Sequence, residues 1–177
     1  MAYANRDGRQ PKRKASPGVT PEQRRRIQEQ MLAKLQRRTA LEQEILSLIG
    51  GRTGMICTWE EMLIAAAAGD EAGFRFYGTS YQSKAEQLRR KLEKLNRMIR
   101  DSRNQKIDRK YGIRVGKMLS QPFSQSEMCT ELLAKADALR DSGLTEQEDL
   151  TEEVLKKWIR EVRHLADPAE GDERDEI

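Results

Sequence analysis

The amino-acid sequence predicts a mainly α-helical protein with one small β-hairpin, a disordered basic arm before the folded part and a helical extension after it. Apolar residues recur at helical spacing through most of the chain. Capping boxes of the type S/T-x-x-E/Q precede three of the helical segments, in "TPEQ", "TWEE" and "SQSE". The period changes to alternation in only one place, "KIDRKYGIRVGKML", which predicts the hairpin.

The first helical region follows an arm with few large aliphatic side chains, which cannot bury enough apolar surface to offset its chain entropy. Thr20 and Gln23 form the first capping box, and the helical spacing continues to the glycine pair at 50–51. We expect a break near Thr39, because this residue can cap a new helix with Glu42 three positions later.

The middle of the chain is expected to contain a short extended piece, "GMIC", and then a helix that Thr58 caps and Gly69 ends. "DEAGFRFYGT" is expected to be a loop whose three aromatic residues pack against the domain. A long basic helix over 80–99 follows. Its inward stripe is Tyr81, Ala85, Leu88, Leu92, Leu95 and Ile99.

The C-terminal part is predicted to contain two helices. Ser124 and Glu127 form the third capping box, and Gly143 ends the helix that this box opens. A final amphipathic helix is expected over 151–166, and an acidic tail follows at 168–177. Its inward residues are Val154, Leu155, Trp158, Ile159, Val162 and Leu165.

Composition limits the classes of function. No stretch approaches the ~20 apolar residues that span a bilayer, and no secretory leader is recognisable, so we expect a cytoplasmic protein. The chain has one histidine and two distant cysteines, Cys57 and Cys129, so we expect two free buried thiols and no metal site. "GGRTG" lacks the lysine of a phosphate-binding loop, and no nucleophile has a plausible base. We therefore expect neither catalysis nor a cofactor.

Charge is distributed unevenly along the chain. Residues 1–40 carry 11 basic and 3 acidic side chains, and residues 84–117 carry 13 and 4. Residues 41–83 carry 2 basic and 6 acidic side chains, and residues 118–177 carry 7 and 16. Two basic blocks of this kind favour a polyanionic partner, above all a nucleic acid.

Residues 39–119 follow the order helix, strand, helix, loop, basic helix and hairpin, which is the order of a winged helix-turn-helix. "LRRKLE" and "YGIRV" resemble the recognition helix and wing strand of the DNA-binding domain of bacterial OmpR/PhoB-type response regulators. The resemblance implies a winged-helix domain over 39–119 that binds DNA as a transcriptional regulator. The residues before it contain no receiver domain, and Thr79 stands where that family has an arginine. The other predicted parts are a basic arm at 1–20, a basic helix at 21–38, a helical extension at 122–167 and the tail.

On this interpretation the outward residues of helix 80–99 read the major groove, and the wing at 105–118 contacts the backbone or the minor groove. The candidates on the helix are Gln82, Ser83, Lys84, Gln87, Arg90 and Lys91. Those on the wing are Arg109, Lys110 and Arg114. Phosphate contacts are expected from Lys12, Arg13, Lys14, Arg24, Arg25 and Arg26.

Other interpretations stay open at this point. The leucine spacing also fits an all-α assembly or adaptor protein with coiled-coil helices. In the winged-helix interpretation, the extension is expected to self-associate or to bind a protein partner through helices 124–142 and 151–166. An arginine-rich helical arm also binds RNA hairpins, so the arm alone does not distinguish RNA from DNA. An accessory factor of replication, conjugation or phage development would have the same features as a transcriptional regulator.

Overall fold

The computed structural model describes residues 18, 20–104, 113–141 and 143, together with five C-terminal positions, 153, 156, 157, 159 and 160. Within these ranges the chain is α-helical and contains no β-strand. The helices are α1 (Pro21–Gly50), α2 (Met55–Ala68), α3 (Glu71–Asn104), α4 (Ile113–Leu119) and α5 (Ser126–Asp141). The mainly α class is therefore confirmed.

Helix α1 begins at the predicted capping box. The Thr20 side chain accepts a hydrogen bond from the Gln23 amide at 3.2 Å, and the Gln23 side chain accepts one from the Thr20 amide at 3.0 Å. The predicted break at Thr39 is wrong, because α1 is one uninterrupted helix of 30 residues from Pro21 to Gly50. The Thr39 hydroxyl donates to the Leu35 carbonyl at 3.0 Å, an i−4 bond that lets threonine sit inside a helix instead of capping one.

Helix α2 includes the segment that was predicted to be extended. Gly54 is its N-cap, and the Thr58 hydroxyl donates to the Gly54 carbonyl at 2.8 Å from within the first turn. A Cβ at Gly54 would lie 2.6 Å from the Ile49 carbonyl oxygen, so only glycine fits this tight turn. Gly69 ends α2 in the left-handed region at φ 73°, as predicted.

Helix α3 begins at Glu71, nine residues before the predicted start at residue 80. The Asp70 carboxylate accepts a hydrogen bond from the Gly73 amide at 2.9 Å, which satisfies one of the free N–H groups at the helix start. The segment predicted to be a loop is the first part of this helix, and Phe74 within it is fully buried. Burial of that side chain outweighs the low helix propensity of the neighbouring glycines.

The winged helix-turn-helix prediction is wrong. The described part of the chain contains no strand, whereas that fold requires a β-hairpin wing. Residues 113–119, in the second half of the predicted wing, form α4, and residues 105–112 lie outside the described residues. The predicted recognition helix is the interior of the 34-residue α3. A buried arginine of α1, Arg38, donates hydrogen bonds to the last carbonyls of α4 and so stabilises a helix end there.

The core surrounds α3, which packs against α1, α2, α4 and α5. Tyr81, Leu88 and Leu95 are fully buried, and residues of α1, α2 and α5 belong to the same hydrophobic cluster. The Tyr81 hydroxyl donates to the Leu132 carbonyl of α5 at 2.7 Å, and its ring lies 5.2 Å from that of Trp59 in α2. The predicted inward stripe of α3 is confirmed, and its leucines pack against helices of the same chain.

At the C-terminal side, α5 ends before Gly143, which has φ 66° and donates its N–H to the Arg140 carbonyl. The predicted helix over 151–166 lies outside the described residues apart from five positions. All five positions are helical, and one of them, Ile159, packs against the hydrophobic cluster. Among the described helices, none combines the length and apolarity that membrane crossing requires.

Candidate nucleic-acid interface

The exposed side of α3 carries a line of cations, which we call the α3 cationic ridge. Its members are spaced by four, three and three residues, so they follow one side of the helix, and all are exposed. From first to last they cover about 15 Å along the helix axis at 1.5 Å per residue. The ridge consists of Arg90, Lys94, Arg97 and Arg100.

The ion pairs of the ridge are exposed and local. Arg90 lies 3.3 Å from Glu86 and Arg97 lies 3.1 Å from Glu93, each at i−4 on the same helix. The two arginine side chains are 77% and 68% exposed. Pairs of this type contribute at most about 1 kcal/mol, so a phosphate group can replace the carboxylate at little cost. Among the described residues, Lys94 and Arg100 have no carboxylate within ion-pair distance.

The cations beside the ridge connect α3 to its neighbours. Lys91 donates to a Glu44 carboxylate oxygen of α1 at 2.6 Å, and Arg89 donates to Asp137 of α5 at the same distance. The hydrogen bond from Lys91, followed by the positive charges of Lys91 and Lys94, holds the pKa of the Glu44 carboxyl below its usual value. Lys91, a predicted DNA contact, therefore also bridges α1 and α3.

The four candidates at the start of the predicted recognition helix divide into two pairs. Ser83 and Gln87 are exposed. Gln82 is half-buried, with its side-chain nitrogen enclosed, and Lys84 donates to the Thr58 hydroxyl of α2 at 2.7 Å. Partial burial lowers the pKa of the Lys84 ammonium group. Ser83 and Gln87 therefore face the solvent, whereas Gln82 is half-buried and Lys84 contacts α2.

The first turns of α1 form a second cationic surface. Nine of the ten residues in 21–30 are exposed, so this end of the helix is accessible to a large ligand. Arg25 pairs with Glu29 and Arg26 with Glu22, each at 2.9 Å, and Arg24 is half-buried. These pairs are as exposed as those of the ridge and equally easy to replace.

The remaining candidates lie where the structure does not describe side chains. Lys12, Arg13, Lys14, Arg109 and Lys110 are outside the described residues. Arg114 belongs to α4, but its side chain is outside the described part. Of the predicted candidates, the structure leaves Ser83, Gln87 and Arg90 exposed on α3, and separately Arg25 and Arg26 exposed on α1.

The predicted site residues did not include the three arginines in the C-terminal third of α3, Arg97, Arg100 and Arg103, and they did not include Lys94 of the ridge. All three are exposed, and Arg100 and Arg103 line a groove of about 380 Å³ between α3 and α5. The unbalanced charge of residues 84–117 was the available signal. The winged-helix resemblance places most DNA contacts in the N-terminal half of helix 80–99, whereas Lys94, Arg97 and Arg100 lie beyond its midpoint.

In the described part of the chain, no group of three histidine, cysteine, aspartate or glutamate side chains is placed to hold a metal ion. Cys57 is half-buried and Cys129 is buried, both as free thiols, and burial raises the pKa of Cys129. A raised pKa keeps that thiol protonated and unreactive.

Comparison with protein-family models, with curated proteins and with solved structures found no match for this chain.

Proposed function

We propose that this protein binds double-stranded DNA through the α3 cationic ridge, with phosphate contacts supplying most of the affinity. The observation that carries the proposal is the line of four exposed cations over about 15 Å, which equals roughly four base-pair steps of 3.4 Å. Arginine suits this role because its planar group binds phosphate oxygens in a bidentate manner.

The surroundings of the ridge support the same proposal. The first turns of α1 supply further exposed arginines for the backbone. Ser83 and Gln87 are exposed on α3 ahead of the ridge, and glutamine can bond the edge of adenine in the major groove. These two residues are the proposed source of sequence preference, and regulation of transcription is the proposed role. The proposed role is binding, and it includes no catalytic step.

Exchange of the three ridge arginines tests the proposal. The variant Arg90→Gln, Arg97→Gln, Arg100→Gln is expected to bind a mixed-sequence DNA duplex at least about tenfold more weakly. Its slope of log K against log salt should be shallower by about 2.7, since each phosphate contact contributes about 0.9. Fluorescence anisotropy across a salt series measures both quantities. Lys94 is left in place so that this test does not touch the cavity described below.

A variant with the same net charge provides the control. Arg52→Gln, Lys117→Gln, Arg140→Gln removes three exposed cations from other parts of the surface. If binding depends on the ridge, this control retains the wild-type slope. Equal loss in both variants would mean that only net charge matters, and absence of binding by the wild-type protein would reject the proposal.

A second function, self-association, is supported by two exposed apolar side chains. Ile64 of α2 is 62% exposed and Phe76 of α3 is 68% exposed. Large apolar side chains that are exposed at a surface occur at interaction sites. If self-association through these side chains is the function, the wild type forms oligomers and the variant Ile64→Ser, Phe76→Ser stays monomeric at the same protein concentration. Sedimentation equilibrium measures the mass, with Leu46→Ser as the exposed apolar control, and a monomeric wild type would exclude self-association.

A further inference from the structure

A cavity of about 510 Å³ lies between α1, α3 and α4, beside the α3 cationic ridge. This volume falls within the range of about 300–1,000 Å³ that is typical of sites for small molecules. Its floor is apolar and includes the buried side chains of Leu41 and Leu119. Ala40 of α1 and Met98 of α3 complete the apolar part.

The polar rim of the cavity is dominated by cations. Lys34 and Arg37 of α1 and Lys94 of α3 line it, and within the described ranges none of them has a carboxylate within ion-pair distance. Glu44 also lines the cavity, but its carboxylate accepts the short hydrogen bond from Lys91. Asp101 is the remaining acid. The cations therefore outnumber the acids that are free to balance them.

The cavity wall that α4 supplies is held in place independently of any ligand. Arg38 of α1 is 5% exposed and donates to the carbonyls of Met118, Leu119 and Gln121. These bonds fix Leu119 against α1, so the floor of the cavity is formed before a ligand arrives. A preformed site avoids the entropy cost of ordering its walls on binding.

We propose that this cavity binds a small organic anion, with one acidic group on an apolar body. The apolar floor removes the body from water, and the amino and guanidinium groups of the rim bond the acidic group. Charge-assisted hydrogen bonds of this kind are about twice as strong as neutral ones, which makes the acidic group the main determinant of specificity. The proposal is independent of DNA binding, because the site needs only groups within the cavity.

A fluorescent probe of matching chemistry tests this site without DNA. 8-Anilinonaphthalene-1-sulfonate combines an aromatic body with one sulfonate, and N-phenyl-1-naphthylamine is the same body without the charge. The folded wild-type protein is expected to bind the sulfonate with saturation at one site. It should bind the neutral compound at least about tenfold more weakly, because that compound lacks the charge-assisted hydrogen bonds.

Four variants test whether the sulfonate binds in this cavity. Lys94→Gln should weaken the sulfonate about tenfold by removal of one charge-assisted bond, and Ala40→Phe should abolish binding by filling the cavity. Asp101→Asn should tighten binding, since a repelling carboxylate is removed. Arg52→Gln removes an exposed cation outside the cavity and should leave binding unchanged. Circular dichroism of each variant reports its fold, and Lys94→Gln, a change at an exposed side chain, remains informative if Ala40→Phe does not fold.

Two results would overturn the assignment of this cavity. One is wild-type affinity for the sulfonate in Lys94→Gln, which would place the probe elsewhere. The other is equal affinity for the charged and the neutral compound, which would show adhesion to apolar surface without recognition of the acid. Loss of DNA binding in the ridge variant, with probe binding retained, would leave this inference intact and separate it from the proposed function.

Discussion

Replacement of Arg38 by alanine is expected to lower the free energy of unfolding by about 3 kcal/mol or more. The side chain is 5% exposed and donates to Glu42 at 2.9 Å, to the Met118 carbonyl at 2.8 Å and to the Gln121 carbonyl at 2.5 Å. It also donates to the Leu119 carbonyl. Alanine would leave these acceptors without their donor in a site that water reaches poorly, and each unsatisfied group costs about 1–3 kcal/mol.

Urea denaturation followed by circular dichroism measures the effect by linear extrapolation. For a chain of this length, 3 kcal/mol corresponds to a Tm lower by about 6–12 °C. Arg38→Lys should give an intermediate loss, because lysine keeps the charge but lacks the planar fork that reaches several carbonyls. Arg37→Ala, at the exposed neighbouring position, should stay within about 0.5 kcal/mol of wild type. Equal effects of the two alanine variants would contradict the role assigned to Arg38.

The elements that the sequence predicted correctly are those with local causes. The capping box at Thr20 and the stop glycines Gly69 and Gly143 depend only on residues a few positions apart. The inward stripe of α3 depends on the helical period alone, and its fully buried members include Leu88 and Leu95. Local chemistry is sufficient at these places because no distant contact competes with it.

The incorrect predictions of secondary structure are explained by contacts between residues that are distant in the sequence. Glycine has a low helix propensity, so the glycines at the start of α3 disfavour a helix there. Burial of Phe74 in the core outweighs this low propensity. The alternation at Ile113 and Val115 suggests a strand, but residues 113–119 form a helix whose end Arg38 contacts from 80 positions away. A resemblance in the order of elements cannot reveal such a contact, and the winged-helix interpretation failed for this reason.

The positive charge of the candidate site could be predicted from the sequence, but the position of its residues on the surface could be predicted only in part. The excess of cations in residues 84–117 is visible in the sequence, and part of it forms the α3 cationic ridge. Which polar residues face the solvent depends on the neighbours of α3: α2 supplies the Thr58 hydroxyl to Lys84, and α1 supplies the Glu44 carboxylate to Lys91. These partners lie 26 and 47 positions away, so no local pattern indicates them.

Leu88→Ala is expected to lower the free energy of unfolding by about 3 kcal/mol, within the 2–5 kcal/mol range of such core truncations. Leu88 is fully buried in a cluster that includes residues of α1, α2 and α5, so the smaller side chain leaves a cavity that close-packed helices cannot fill. Urea denaturation measures the loss, and Leu46→Ala is the control. Leu46 is 37% exposed on α1, and its truncation should cost less than about 1 kcal/mol.

The same variant decides what the leucine spacing of α3 means. In a coiled coil between chains, stability rises with protein concentration because association is coupled to folding. Leu88 and Leu95 instead pack within one chain, so the Tm of wild type and of Leu88→Ala should be independent of concentration over a hundredfold range. A concentration-dependent Tm that disappears in Leu88→Ala would place these leucines between chains and favour the assembly function. A constant Tm leaves α3 as an intrachain helix whose opposite side, the cationic ridge, is available to DNA.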